Sequence, residues 1–210
     1  DWKVKDGKVV ELGSETMPVV EVPQVTADTG SGGESVLSLA QLADIENTYA
    51  TLMPELHNFV DGYAEWAAGQ QGEISDLPPE DHGAGSRMIG RMNRAVERMR
   101  ESLALLEQND QARLAFALVN RAMLDQMRQH DRVQGNPRDD GAYRWRPFQL
   151  AFLLTALEST ANEHSEFRDT VDLIWFPTGG GKTEAYLGLI AFQIALRRLL
   201  YSDTGGGTAV

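Results

Sequence analysis

Three consecutive glycines stand between an apolar run and a helix-like run in "DLIWFPTGGGKTEAYLGL", residues 172–189. Glycine loses more backbone freedom on folding than any other residue and has no side chain to pack, so such a run weakens any regular element. The pattern therefore predicts a loop whose backbone must turn sharply or approach another group closely. Residues 170–176, "TVDLIWF", predict a buried strand before this loop, and residues 182–200 predict an amphipathic helix after it.

A strand, a glycine-rich loop, a Lys-Thr pair and a helix together are typical of the phosphate-binding loop of P-loop NTPases. Glycines let backbone N–H groups converge on the phosphates of a nucleotide, and the helix N-terminus adds its positive end. We predict that Lys182 reaches the β- and γ-phosphate oxygens of ATP and that the Thr183 hydroxyl binds Mg²⁺, so these two residues have the catalytic role. The loop residues predicted to bind the nucleotide are Pro177, Thr178, Gly179, Gly180, Gly181, Lys182 and Thr183.

One position departs from the P-loop motif, and the role of another position cannot be decided from the sequence. The strict motif has a glycine where this chain has Phe176, so its first position is missed. Glu184 lies in the first turn of the predicted helix and is counted with the nucleotide-binding residues. Its side chain either points toward the nucleotide or lies on the surface, and both interpretations remain open.

The segment "PTGGGKT", residues 177–183, resembles the "PTGxGKT" loop that is common in superfamily 2 helicases and translocases. A second segment, "RWRPFQLAFLL", residues 144–154, resembles the stretch that many of these proteins place before the phosphate loop. In that superfamily a glutamine after an aromatic or aliphatic residue recognises the adenine edge, and Gln149 is the matching residue. An amide donates and accepts at once, as adenine requires. The alternative for Gln149 is a surface glutamine on an amphipathic helix.

Together with "ARLAFALVNRAMLDQM", residues 112–127, these segments resemble the DrmA family of helicase-like ATPases from the bacterial DISARM anti-phage system. The resemblance runs from about residue 90 to the end, and residues 1–85 contribute little to it. It implies a two-lobed RecA-like motor that acts on DNA in phage defence, uses ATP and Mg²⁺, and has DrmB as its protein partner.

The predicted fold class is α/β, with a mainly helical N-terminal region followed by the first strand, P-loop and helix of a RecA-like parallel-sheet motor lobe. Residues 1–30 hold β-like pieces around an Asp6–Gly7 turn and at 17–25, and residues 28–35 form a linker. Residues 36–140 form a helical accessory domain, and residues 141–210 begin the ATPase lobe. Within these regions helices are predicted at 36–68, 87–108, 111–130 and 147–162, with a kink or split at Pro54 and a loop at 69–86.

Composition excludes several classes of site. Cysteine is absent, which rules out disulfides and every cysteine-based zinc or iron–sulfur site. No apolar run reaches the roughly 18 residues that a membrane-spanning helix needs, so we expect no membrane partner. The first residues lack the basic start and apolar middle of a secretory signal, and we expect a cytoplasmic location.

The net charge of −12 is placed unevenly along the chain. Residues 1–84 hold 3 Lys/Arg against 16 Asp/Glu, whereas residues 85–210 hold 16 against 15, so the second part is free to meet nucleic acid. Four arginines recur on one face of the helix at 87–108: Arg87, Arg91, Arg94 and Arg98. They form either a stripe that contacts phosphates or a solvated face, and we favour the solvated face.

A complete motor also needs a Walker B acidic pair and arginines from a second lobe. No such acidic segment follows in the 27 residues after Thr183, so we expect the chain to be the N-terminal part of a longer helicase or translocase and to be inactive alone. Two alternatives remain open. One is another P-loop ATPase, such as an AAA-type remodeller or a restriction translocase, and the other is a protein-interaction module formed by the acidic, helical residues 1–140.

Overall fold

The structure is a computed structural model that describes residues 2–13, 35–174 and 181–201. Its helices are α1 (Leu39–Ala43), α2 (Ile45–Glu73), α3 (His82–Gln108), α4 (Asp110–Val133), α5 (Pro147–Ala161) and α6 (Lys182–Leu200). Two short strands, β1 (Trp2–Lys5) and β2 (Lys8–Leu12), pair with each other. The described part of the chain is therefore mainly helical, and the parallel sheet of the predicted α/β class does not lie within it.

An antiparallel hairpin forms where the Asp-Gly signal predicts a turn. Asp6 and Gly7 both have positive φ angles, 51° and 73°, which is the backbone that tight two-residue hairpins require. The β-like prediction is confirmed for this part of the chain. The second predicted β-like piece, residues 17–25, and nearly all of the predicted linker lie outside the described residues.

The helix predictions for 87–108, 111–130, 147–162 and 182–200 are confirmed within a few residues at most ends. The predicted split at Pro54 is wrong, because α2 continues through it and the break comes earlier, at Asp44. Leu52, Met53 and Leu56 are buried around the proline, so tertiary packing outweighs the hydrogen bond that proline removes.

The predicted loop at 69–86 is shorter than its glycine and proline content indicates. α2 runs on to Glu73 and α3 begins at His82, with two single 3₁₀ turns between them. A Cβ at Gly85 would lie 3.2 Å from the Leu77 side chain, so this glycine lets the first turn of α3 approach the connection closely. Glycine here serves a close helix contact rather than a loop.

The predicted buried strand at 170–176 is wrong for residues 170–174. They form no regular element, and the Val171 and Leu173 side chains are 94% and 86% exposed. A strand needs a neighbouring strand for its backbone hydrogen bonds, and the described residues place none beside this segment. Trp175 and Phe176 lie outside the described residues.

The helices share one hydrophobic core. α3 packs against α2 and α5, α4 packs against α1 and α6, and α5 packs against α6. Completely buried side chains from all six helices contribute to it: Leu42, Leu56, Leu103, Phe116, Leu154 and Phe192. The predicted domain boundary at residue 141 stays a prediction, but the helices on either side of it are held in the same core.

Candidate nucleotide-binding site

Helix α6 begins directly after a glycine in the left-handed region. Gly181 has a φ of 84°, and it is the N-cap residue of α6. Its φ angle suits glycine, because a Cβ would clash with the following carbonyl in this conformation. No side chain of the described residues caps the helix, and the positive end of its dipole lies at this glycine.

Lys182, Thr183 and Glu184 form the first turn of α6. Lys182 is half-buried, and Thr183 is exposed, so its hydroxyl is open to solvent. The Glu184 side chain is half-buried, and its Oε2 atom is enclosed without a hydrogen-bond partner among the described residues. Oε2 lies 3.2 Å from the position that a Cβ on Gly181 would take, so the carboxylate lies beside the loop.

Gln149 lies at the end of the predicted phosphate loop. Its side chain is 3% exposed, which rules out the surface-glutamine alternative. The Nε2 atom donates to the Gly181 carbonyl oxygen at 2.6 Å, and the Oε1 atom accepts from the Arg146 backbone N–H at 2.7 Å. The second bond caps the start of α5, while the first joins α5 to the start of α6. Each polar atom of the amide thus makes one bond to the backbone, and the amide keeps a second N–H and a second oxygen lone pair for another partner.

Trp145 fixes where α6 lies. Its ring is buried, and a Cβ at Gly188 would lie 3.1 Å from its Cη2 atom, so glycine allows α6 to pack directly on the indole. The indole Nε1 donates to the Oδ1 atom of buried Asn120 at 2.7 Å. Asn120 in turn donates to the Phe116 carbonyl at 2.8 Å. Trp145, which lies just before α5, is therefore bonded to α4 and packed against α6.

The other predicted loop residues, Pro177, Thr178, Gly179 and Gly180, lie outside the described residues, and their roles stay predictions. The residues that can be placed, Gln149, Gly181, Lys182, Thr183 and Glu184, come together at one end of α5 and α6. No group of three or more acidic or histidine side chains in the described ranges is arranged to hold a metal. Thr183 is the described residue that offers a hydroxyl ligand in the predicted position.

A segment just upstream of the loop is attached to the helices through an arginine. Arg98 of α3 is 5% exposed, and its two Nη atoms donate to the two carboxylate oxygens of Asp172 at 2.6 and 2.7 Å. Its guanidinium carbon lies 5.0 Å from the centre of the Phe167 ring. Both interpretations of Arg98, as a DNA contact and as part of a solvated face, are wrong.

Helical spacing alone could not reveal this burial. Arg98 follows Arg87 by 11 residues, which is close to three complete turns, so both point in nearly the same direction from α3. The C-terminal half of α3 is covered by α5 and by residues that follow it, whereas Arg87, Arg91 and Arg94 are exposed. The spacing of the arginines specifies the direction in which each side chain points from α3. Whether that side chain is buried depends on elements from other parts of the chain.

Carboxylates surround the buried arginine. Partial burial raises the pKa of the Glu101 carboxyl above its ordinary value, and the nearby Glu158, Glu166 and Glu97 add to this rise, while Arg98 opposes it. The Arg98 guanidinium nevertheless makes its described hydrogen bonds with Asp172 alone, and its Nε atom has no partner in the described ranges. The sequence did not indicate that Asp172 pairs with an arginine, because a single aspartate before an apolar run forms no recognisable pattern.

Replacing Gly181 by alanine should lower the free energy of unfolding more than replacing Gly135 does. Gly135 also has a positive φ, 76°, but a Cβ there would meet no atom within 4 Å. The left-handed backbone costs about 1–2 kcal/mol in both variants. At Gly181 the added Cβ would lie 2.6 Å from Gln149 Nε2. Displacing the amide from its hydrogen bond would add roughly 1 kcal/mol. Urea unfolding measures both losses, and equal losses would contradict the Gln149–Gly181 contact.

No helix in the described residues has both the length and the apolar character to cross a membrane.

No family model matches the chain. It is similar to the DISARM protein DrmA of Bacillus paralicheniformis, with 34% identity over 222 aligned residues. The alignment covers 97% of this chain, so it extends into residues 1–85, and it covers 19% of the length of that relative. Over nearly its whole length, this chain is therefore a DrmA-like sequence.

Proposed function

We propose that this chain is the N-terminal part of an ATP-dependent superfamily 2 DNA helicase or translocase that acts in a DISARM-type anti-phage defence system. The phosphate loop and α6 would belong to a RecA-like motor lobe, and the helices before them would be the accessory region. The similarity to a DISARM protein supports the defence role, and the loop chemistry supports the use of ATP.

One observation carries the proposal of a nucleotide site. α6 starts at Lys182 directly after the left-handed Gly181, without a side-chain cap, at the end of a run of three glycines. An uncapped helix start preceded by glycines presents backbone N–H groups and a positive dipole end to the same volume. Structural helices usually cap these groups with a Ser, Thr, Asp or Asn side chain, whereas the N-cap residue of α6 is a glycine, which has no side chain for this purpose.

The residues of the first turn have different tasks in this proposal. Lys182 would bind the β- and γ-phosphate oxygens, since an ammonium group donates in several directions to a spread negative charge. Thr183, whose hydroxyl is exposed, would be a ligand of Mg²⁺, and the metal would neutralise charge on the phosphates. Glu184 carries a buried carboxylate oxygen without a described partner, and this fits a group that turns toward the site when Mg²⁺ is bound.

The role of Gln149 in adenine recognition remains a proposal with a specific condition. Its amide already bonds to Gly181 and to Arg146, so adenine would use the second Nε2–H and the second lone pair of Oε1, which these bonds leave. In that case base binding and the position of the loop end are linked, because one amide serves both. If adenine does not bond to this amide, Gln149 holds the loop and does not distinguish bases.

DNA and a DrmB partner belong to the proposal through the family resemblance of the sequence rather than through a described surface. Arg87, Arg91 and Arg94 are exposed on α3, which leaves them available to phosphates. The acidic surroundings of the N-terminal part oppose this use, so we assign DNA contact to the motor lobe and assign partner contact to the acidic helical region.

Replacing Lys182 by alanine should abolish ATP hydrolysis in the full-length protein while leaving its unfolding midpoint unchanged. The expected loss follows from removing the charge that stabilises the transferred phosphoryl group. Arg198→Ala is the matched control, because Arg198 is an exposed cation at the other end of α6. Phosphate release gives the rates. Wild-type turnover by a folded Lys182→Ala protein would show that this loop is not the ATPase site.

Replacing Gln149 by alanine should remove a preference for ATP over GTP in the full-length protein. Guanine presents an acceptor where adenine presents its N6 donor, so a mismatched amide contact costs roughly 1–3 kcal/mol. That free energy corresponds to about a fivefold to 150-fold difference in affinity. Competition of ATP and GTP for the site measures the preference, and the Mg²⁺ dependence should stay unchanged. Equal affinity of the unaltered protein for ATP and GTP would leave Gln149 with the loop-holding role alone.

A further inference from the structure

The phosphate loop is flanked by two polar contacts to different helices. Upstream, Asp172 pairs with Arg98 of α3, and downstream the Gly181 carbonyl accepts from Gln149 of α5. Eight residues lie between Asp172 and Gly181. The described residues on either side of the predicted loop, Asp172 and Gly181, are therefore each bonded to a side chain of the helical body.

The Arg98–Asp172 pair attaches residues 171–174 to α3 through hydrogen bonds. The turn that follows α5 is fixed by Arg168, which donates to the Ser159 and Thr160 carbonyls at 2.9 and 3.1 Å. Beyond that turn, the Val171 and Leu173 side chains are almost fully exposed, so their burial contributes little to fixing the chain. Among the described residues, Asp172 alone forms side-chain hydrogen bonds that connect residues 171–174 to a helix.

The geometry of this pair specifies both position and orientation. A planar guanidinium that donates two parallel bonds to one carboxylate fixes the distance between them and the plane in which they lie. A charged group that is buried requires a counter-charge, and Asp172 supplies it for Arg98. Arg98 is held in turn by the Phe167 ring at 5.0 Å, and Phe167 belongs to the turn that leads into this segment.

We infer that Arg98 is a positioning residue for the phosphate loop, which it aligns through Asp172, so that nucleotide binding depends on the placement of α3. The inference rests on the proposed nucleotide site. Because α3 belongs to the helical region before the motor lobe, the Arg98–Asp172 pair joins that region to the loop. Coupling of this kind is reciprocal, so a bound nucleotide must in turn stabilise the pair.

The first test compares nucleotide affinities of full-length variants at a temperature where each is folded by circular dichroism. Arg98→Lys keeps the charge but loses the bidentate fork, and Asp172→Asn keeps the shape but loses the charge. Each should raise the Kd of a fluorescent ATP analogue with Mg²⁺ by about tenfold, which lies within the roughly 5- to 150-fold range that is typical of coupling between two sites. Arg100→Lys is the matched control, because Arg100 pairs with Asp61 on the exposed side of the same helix.

The second test needs no variant of the pair, so it remains decisive if those variants fail to fold. Hydrogen exchange of the unaltered full-length protein is followed with and without a non-hydrolysable ATP analogue and Mg²⁺. We expect slower exchange at 171–174 and in α3 around Arg98, and no such change in Lys182→Ala.

The outcomes separate this inference from the proposed function. Unchanged Kd values in folded Arg98→Lys and Asp172→Asn proteins, or slowing confined to the loop and α6, would overturn the inference alone. If the unaltered protein and Lys182→Ala show the same lack of nucleotide binding, the proposed nucleotide site is wrong and the inference is overturned with it.

Discussion

The arrangement of the helices depends on the contacts that the buried residue Trp145 makes. Its backbone N–H donates to the Leu37 carbonyl at 2.9 Å, and its indole bonds to Asn120 at 2.7 Å. Its ring packs so closely on α6 at Gly188 that a side chain at this position would contact the indole. One residue thus connects the start of the helical body with α4 and α6. Truncating a buried aromatic residue of this kind typically costs about 3–5 kcal/mol, because contacts are lost and a cavity remains.

The candidate site follows from that arrangement. Trp145 lies just before α5, so fixing it also fixes the start of α5 and the Gln149 side chain there. α6 packs against the same indole, and this brings Gly181 within hydrogen-bond distance of Gln149. The uncapped start of α6 is therefore positioned by a rigid core, and the groups that would bind phosphate lie at its edge. Binding groups held in this way need little reorganisation when charge arrives.

Local chemistry could be predicted from the sequence, and long-range contacts could not. The glycine run and the Lys-Thr pair indicated where α6 begins, and Pro147 marked the first turn of α5, because these signals act on neighbouring residues. The burial of Arg98 and its partnership with Asp172 depend on residues 74 positions apart in the sequence, and no periodicity reports such a pairing. Gln149 was identified by its resemblance to a motif, whereas its bond to Gly181 became visible only in the folded chain.

Two errors have a common physical cause. Pro54 and the glycines of residues 69–86 were expected to interrupt helices, yet α2 and α3 continue through or into them, because packing offsets weak local propensity. Residues 170–174 show the converse effect. Their apolar pattern suits a strand, but without a neighbouring strand in the described residues the pattern has nothing to pair with.

The central claim is that the start of α6 is a nucleotide-phosphate site, and the most direct measurement is a cryo-electron microscopy structure of the full-length protein with Mg²⁺ and a non-hydrolysable ATP analogue. The account predicts phosphate density at the N-terminus of α6, within hydrogen-bond distance of the backbone N–H groups of Lys182 and Thr183. It also predicts that Arg98 and Asp172 stay paired. Nucleotide density at another place, with the start of α6 covered by the chain itself, would contradict it.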